Sequence, residues 1–245
     1  MSTTKKIALI SGANKGIGLE TARQLGKLGI TVIVGARDLG RGEAAVADLK
    51  KDGVDAYAVK FDVVDAADIA AAVATVEKQF GVLDILVNNA GVLTEGIGSN
   101  TSTTVSEQTL RDTFETNFFA VIAVTNAFLP LLRKSAAGRI VNVSSILGSL
   151  TLHAQPGSPI YEAKALAYDT SKTALNAYTV HLAAALKDTK IKVNSAHPGW
   201  VKTDLGTDAA PMNVVDGAKT EVELATLPED GPTGGYFHMG ETLPW

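Results

Sequence analysis

The chain contains no cysteine. Disulfides, thiolate metal sites and a cysteine nucleophile are therefore excluded together. Its four histidines, His153, His181, His197 and His238, are dispersed without metal-ligand spacing and read as structural, so no metal is expected. Basic blocks are also missing: 22 Lys and Arg stand against 26 Asp and Glu, a net charge of −4. Nothing in that balance invites nucleic acid or an anionic membrane. Apolar runs such as Phe118–Val124 fall far short of the ~20 residues that a membrane span requires. The opening Met-Ser-Thr-Thr-Lys-Lys leads into a short apolar strand, not a signal-peptide core. A cytoplasmic protein without nucleic-acid or membrane partners is the expectation. Linkers and internal repeats are lacking too, and low complexity is confined to the Ser/Thr-rich stretch Gly98–Ser106.

What is present is an alternation of short β-like runs with longer helical stretches. Ile7–Ile10, Thr31–Ala36, Ala56–Lys60, Leu83–Val87, Arg139–Val143 and Lys192–Ser195 are apolar and largely β-branched. Between them, Ile17–Leu28, Gly42–Lys51, Ala66–Phe80, Glu107–Arg133 and Tyr168–Lys187 carry helical spacing and many alanines. Strands without polar alternation belong in a sheet covered on both faces. Repeated βα units imply right-handed crossovers and an open parallel sheet. The expected fold is a Rossmann-type, doubly wound α/β sheet of about seven parallel strands with helices on both faces, in one domain, residues 1–245. The loops Val92–Ser106, Ile146–Ser158 and Thr203–Asn213 exceed what connection requires. In such sheets ligands bind beyond the carboxyl ends of the strands, so these loops are either pocket walls or mobile surface.

Three local patterns carry chemistry. Ser11-Gly12-Ala13-Asn14-Lys15-Gly16-Ile17-Gly18 follows the first strand and opens a helix. Glycines there let a backbone approach a pyrophosphate, and the helix N-terminus supplies oriented N–H donors. The spacing G-x-x-x-G-x-G matches neither the dinucleotide fingerprint nor a P-loop, and a tight βα turn reads the same way. After the second strand comes Gly35-Ala36-Arg37-Asp38. An acidic residue at that point selects the ribose of NAD, whereas an arginine accommodates the 2′-phosphate of NADP. Arg37 holds the position, with Lys15 as a second cation. Finally, Tyr168 and Lys172 stand four residues apart at the start of a helical segment, on one face. A phenol titrates near pH 10, about three units above neutrality, and a neighbouring ammonium favours its ionised form. Tyr161 with Lys164 is a second such pair, but it lies among prolines and glycine, before the helix is established.

Taken with Asn88-Asn89-Ala90-Gly91, Ser145 and Pro198-Gly199-Trp200-Val201-Lys202-Thr203, these motifs occur in the order of the short-chain dehydrogenase/reductases. The chain resembles that family over essentially its whole length, and within it most resembles the NADPH-dependent carbonyl reductases. The resemblance implies that Gly12, Asn14, Lys15, Gly16, Ile17, Gly18 and Arg37 hold NADP(H). It implies that Asp62, with Val63, contacts adenine, that Asn89, Ala90 and Gly91 line the ribose, and that Pro198, Gly199, Val201 and Thr203 embrace the nicotinamide. It also makes Asn117, Ser145, Tyr168 and Lys172 the catalytic set, the last two also touching the cofactor. Asn117 would kink its helix and hold a water near Lys172; read from the residues alone, it is a helix-interior amide making a local bond. Of Ser144 and Ser145, the family pattern uses the second, and strand alternation keeps the two from sharing one task.

On this resemblance the reaction is reduction of a ketone or aldehyde, with Tyr168 as general acid and base. The partner is a small-molecule carbonyl substrate. A 3-oxoacyl-carrier reductase shares the same residues, and an NADP-sensing regulator without turnover is the rival of a different class. Ser145 and Tyr168 stand further apart than in the shorter members. The extra segment around His153–Ala163 is expected beside the pocket or against the surface that many members use to form tetramers, which favours a monomer or homodimer. Leu147, Leu152 and Trp200 hint at an apolar lining, with His153 and His197 as its neighbours.

Overall fold

The computed structural model describes residues 5–98 and 102–245. The first four residues and positions 99–101 of the expected loop Val92–Ser106 lie outside the described residues. The fold is a single-domain α/β Rossmann-type sandwich around a sheet that, among the described residues, has eight strands in the order β3-β2-β1-β4-β5-β6-β7-β8. The strands are β1 (Ile7–Ser11), β2 (Thr31–Ala36), β3 (Ala56–Lys60), β4 (Ile85–Asn88), β5 (Arg139–Val143), β6 (Lys192–Ala196), β7 (Tyr236–His238) and β8 (Glu241–Thr242). All pairings are parallel except the closing β7–β8 hairpin.

The absence of polar alternation has its explanation in two apolar layers. Leu9, Ile33, Val59, Leu86, Ile140 and Val193 face one side, and Ala8, Val32, Val34, Val87, Val141 and Val143 face the other. The first layer is closed by α3 (Ala66–Phe80), α5 (Ala120–Leu132) and α7 (Leu166–Ala185), through Val76, Phe128 and Leu182. The second is closed by α1 (Gly16–Lys27), α2 (Leu39–Lys51) and α9 (Lys219–Ala225), through Leu25, Leu49 and Leu224. The strands β1, β2, β4 and β5 thus bury both faces, as a parallel sheet requires, while the edge strands β3 and β8 leave residues exposed.

Several expected bounds move for identifiable reasons. The second helix begins at Leu39, three residues before the expected Gly42, because Asp38 Oδ1 caps it by accepting from Arg41 N at 2.9 Å. Glu107–Arg133 is not one uniform helix. α4 (Glu107–Phe114) and α5 are joined by a π-turn at Glu115–Phe119. Together they form a 26-residue rod, Glu107–Leu132, long and apolar enough by composition to cross a membrane. Here its α5 portion packs on α3 and places Val124, Phe128, Leu131 and Leu132 in the core. Sequence periodicity does not reveal α6 (Leu150–Ala154), α8 (Val214–Gly217), α9 or the terminal hairpin, all too short for a repeating pattern.

Candidate active site

The sheet order reverses between β1 and β4, the point where open α/β sheets leave a crevice. A cleft of about 1150 Å³ lies at the carboxyl ends of these strands. It is lined by segments leaving β1 (Gly12–Gly18), β2 (Arg37), β3 (Asp62, Val63), β4 (Asn89–Leu93), β5 (Ser144–Leu147) and β6 (His197–Leu205), and by Tyr168 and Lys172 of α7. Every expected site residue except Asn117 therefore lies on its wall.

The floor at one end is glycine because of close packing. A Cβ on Gly18 would stand 2.4 Å from Asn89 Nδ2 and 2.9 Å from Gly12 O. Asn89 Nδ2 donates to Ser11 O at 2.8 Å, and the Ser11 hydroxyl accepts from the N–H groups of Asn89 and Ala90, both at 3.0 Å. The Asn-Asn-Ala-Gly run thus pins the end of β4 to the glycine loop, leaving the N-terminus of α1 open to the cleft. Lys15 reaches across the cleft mouth to an ion pair with Asp204. Arg37 is exposed on the cleft wall and forms no ion pair among the described residues, while Asp38 beside it is engaged as the α2 cap.

At the other end the catalytic candidates converge. Lys172 is buried and donates from Nζ to Val143 O at 2.8 Å. Its ammonium lies over the Tyr168 ring, 5.6 Å from the centroid. The net shift of the phenol is nonetheless upward, against the expectation drawn from the cation, because burial outweighs it. Burial pushes Tyr168 up to about 12, with the neighbouring Ser145 hydroxyl pulling the other way. Burial brings Lys172 down to about 8, opposed by the field of Glu221. The phenol is accordingly protonated at neutral pH, the state a proton donor needs. Ser145 caps a 3₁₀ turn, its hydroxyl accepting from Leu147 N at 3.2 Å.

Asn117 sits fully buried in the π-turn. Its Oδ1 accepts from Val92 N at 2.8 Å, and its Nδ2 donates to Val92 O at 2.9 Å and Ser171 Oγ at 3.0 Å. The helix irregularity is where the resemblance implies, but the amide is engaged with the loop after β4, and Thr116 lines the cleft instead. Asn117 Oδ1 and Lys172 Nζ nevertheless flank one point, 3.3 and 3.5 Å from where a Cβ on Gly91 would be.

Tyr161 is partly exposed and pairs with Lys164 through its ring face at 5.2 Å, outside the cleft. The long segment after Ser145 walls the cleft, contributing Pro159, Ile160 and Ala163. Leu147 and Trp200 line it as expected; Leu152 does not, packing behind with Leu147, Ile160 and Tyr168. His197 lines the cleft, while His153 lies behind it, bonded through Nε2 to Leu147 O at 2.9 Å. No metal-ligating cluster occurs among the described residues. Sequence reasoning misses Glu95, whose buried carboxylate accepts from Tyr168 N at 3.0 Å at the start of α7, since nothing in the loop's composition marks it.

Such a sheet, with its crevice at the strand ends, defines a dinucleotide-binding type of α/β protein. The short chain dehydrogenase family profile matches residues 6–213. Short-chain dehydrogenase/reductase 1 of Saponaria officinalis is 34% identical, across 98% of this chain and 96% of its own. A (+)-neomenthol dehydrogenase of Capsicum annuum is 30% identical, across 98% of both. The NADPH-bound carbonyl reductase from chicken fatty liver superimposes with a TM-score of 0.86, with 28% identity over 99% of this chain and 100% of that one. The chain belongs to the short-chain dehydrogenase/reductase family and is an oxidoreductase.

Proposed function

We propose that this protein is an NADPH-dependent reductase that converts a ketone or aldehyde into an alcohol, reversibly, with Tyr168 as general acid and base. The observation that carries the reading is the convergence of Ser145, Tyr168 and Lys172 on a cleft continuous with the glycine loop. The residues present fit NADP(H). Gly12, Gly16 and Gly18 form a cradle that side chains would fill, Asn14, Lys15 and Ile17 border it, and Arg37 offers a guanidinium for a 2′-phosphate. Asp62, Val63, Asn89, Ala90 and Gly91 would flank the adenosine, and Pro198, Gly199, Val201 and Thr203 the nicotinamide. When bound, a reduced nicotinamide supplies the hydride.

The chain's own residues handle the oxygen and the proton. The hydroxyls of Ser145 and Tyr168 donate to the carbonyl oxygen, where negative charge develops. Tyr168, protonated at neutral pH, transfers its proton there. Lys172, anchored to Val143 O, stabilises the phenolate left behind. Asn117 holds Val92 and Ser171, and through them the wall and the helix that present these groups. Leu93, Ile97, Leu147, Ile160, Trp200 and Leu205 give the substrate end an apolar lining that favours a carbonyl with hydrophobic substituents. The cytoplasmic location and the monomeric or homodimeric state belong to the same proposal. A tetramer by light scattering would contradict it.

A panel of ketones, aldehydes and an acyl thioester, assayed with NADPH and NADH, tests the reading. Turnover of hydrophobic ketones or aldehydes with NADPH is expected. Preference for the thioester would select an acyl-carrier reductase, and NADPH binding without turnover of any panel member a sensor. For the cofactor, Arg37→Ala is expected to weaken NADPH tenfold or more, since a charge-assisted bond to phosphate contributes about 1.5–3 kcal/mol. NADH binding should hardly move, and equal loss for both cofactors would refute the phosphate contact.

A further inference from the structure

The peptide bond that follows Ser145 is held by side chains at both of its polar ends. Its carbonyl, Ser145 O, accepts from the Tyr236 hydroxyl and from Gly148 N at 2.8 Å. Its N–H, that of Ile146, donates to His197 Nδ1 at 3.1 Å. The same Nδ1 accepts from Gly199 N at 3.3 Å. One imidazole nitrogen therefore joins the turn that carries Ser145 to the loop that begins at Pro198.

Both side chains are themselves locked. Tyr236 is fully buried on β7, and its ring stacks on Trp245 with centroids 5.5 Å apart and planes 19° from parallel. Trp245 in turn accepts from Thr151 N at 2.9 Å, at the start of α6. The His197 ring lies 4.6 Å from that of His238, whose Nδ1 bonds His197 O at 2.8 Å. A nitrogen accepting from two backbone N–H groups carries no proton. Burial, aided by His238, accordingly brings His197 down to about 3, so the imidazole stays neutral throughout the working range. Neither Nδ1 nor the Tyr236 hydroxyl is free to meet a substrate.

We propose that His197 and Tyr236 are positioning residues that clamp the Ser145–Ile146 peptide, with His197 also fixing that peptide against Gly199. Ser145 at φ −156° and ψ 150° is ordinary extended backbone. No strain holds it, so the placement of the turn, within which the hydroxyl accepts from Leu147 N, depends on these external bonds. The clamp also couples the hydroxyl that receives the substrate oxygen to the loop assigned to the nicotinamide. Near-attack alignment is sensitive to shifts well below a bond length, so loosening either contact should reach the rate before it reaches binding. The inference rests on the proposed roles of Ser145 and of the Pro198–Thr203 loop.

The test uses Tyr236→Phe, His197→Leu and His197→Asn in the full chain, with a ketone found by the panel. Readouts are kcat, KM, NADPH dissociation constant and Tm. Tyr236→Phe is expected to lower kcat about tenfold or more while NADPH affinity stays within about twofold, since it touches the Ser145 side alone. His197→Leu should lower kcat and weaken NADPH together. His197→Asn, whose Oδ1 is an acceptor close to the position of Nδ1, should recover most of both. In a Ser145→Ala background Tyr236→Phe should cause no further loss, because the group it aims is gone. Loss of Tm with kcat unchanged, or Asn and Leu behaving alike at position 197, would overturn the clamp. Should Tyr236→Phe not fold, the Asn and Leu comparison decides alone. Near-wild-type turnover by Ser145→Ala would instead remove the reading on which the clamp depends. A dead Ser145→Ala beside unimpaired clamp variants would remove the clamp and leave that reading standing.

Discussion

At the scale of single residues, the site is governed by burial as much as by pairing. Asp169, next to Tyr168, shows this most plainly. Burial raises its carboxyl to about 7, the Ala165 N–H pulls it down, and the nearby Glu95 pushes it up again. Its Oδ2 accepts from Ala165 N at 3.0 Å, whereas Oδ1 is buried without a partner. A carboxyl that titrates higher when folded than when unfolded binds more protons in the folded state. Its contribution to stability is therefore greatest below about pH 4 and declines as pH rises towards about 7, beyond which it is level. Asp169→Asn keeps an oxygen acceptor for Ala165 N and removes the charge. The Tm of this variant should exceed that of the parent by several degrees at pH 8 and match it near pH 4. An equal shift at both pH values, in thermal melts, would show that the carboxyl is not the titrating group.

At the scale of elements, the π-turn between α4 and α5 delivers a side chain that a regular helix would aim elsewhere. Asn117 joins the loop after β4 to α7 through three hydrogen bonds. A buried bond contributes about 0.5–1.5 kcal/mol, so Asn117→Ala should destabilise the protein by roughly 2–4 kcal/mol and raise the substrate KM through the loosened Val92 wall. NADPH affinity should change little, because Asn117 does not line the cleft. Urea unfolding and cofactor titration measure the two effects, and unchanged stability would contradict the bonding. The sequence shows why such an element stays hidden. Glu107–Arg133 carries one continuous helical pattern, and a single extra backbone residue leaves no compositional trace. The capped start of α2 at Asp38 stays hidden as well, because an aspartate after the second strand reads in the sequence only as a ribose contact.

At the scale of the whole molecule, the fold was the most legible part. Apolar strands without alternation imply a covered parallel sheet, and the glycine loop after β1 marks the end of the sheet where the cleft lies. Site positions set by backbone motifs, such as Gly12–Gly18 and Asn89–Gly91, were legible for the same reason. Contacts made by side chains from distant elements were not. Tyr236 on Ser145, Glu95 on Tyr168 and Lys15 on Asp204 join residues far apart in the chain and carry no local signature. The electrostatic balance at Tyr168 was misread from spacing alone, because spacing places Lys172 on the right face but does not register the desolvation of both groups.

The whole arrangement narrows to one hydroxyl, the buried proton that Tyr168 holds at neutral pH. Tyr168→Phe removes only that oxygen and leaves the ring against which Lys172 lies. Steady-state reduction of a panel-positive ketone, measured beside NADPH binding by fluorescence titration, tests it directly. The expected result is loss of turnover by about two orders of magnitude or more, the range of general acid catalysis, with NADPH affinity largely retained. Near-wild-type turnover in the phenylalanine variant would contradict the account.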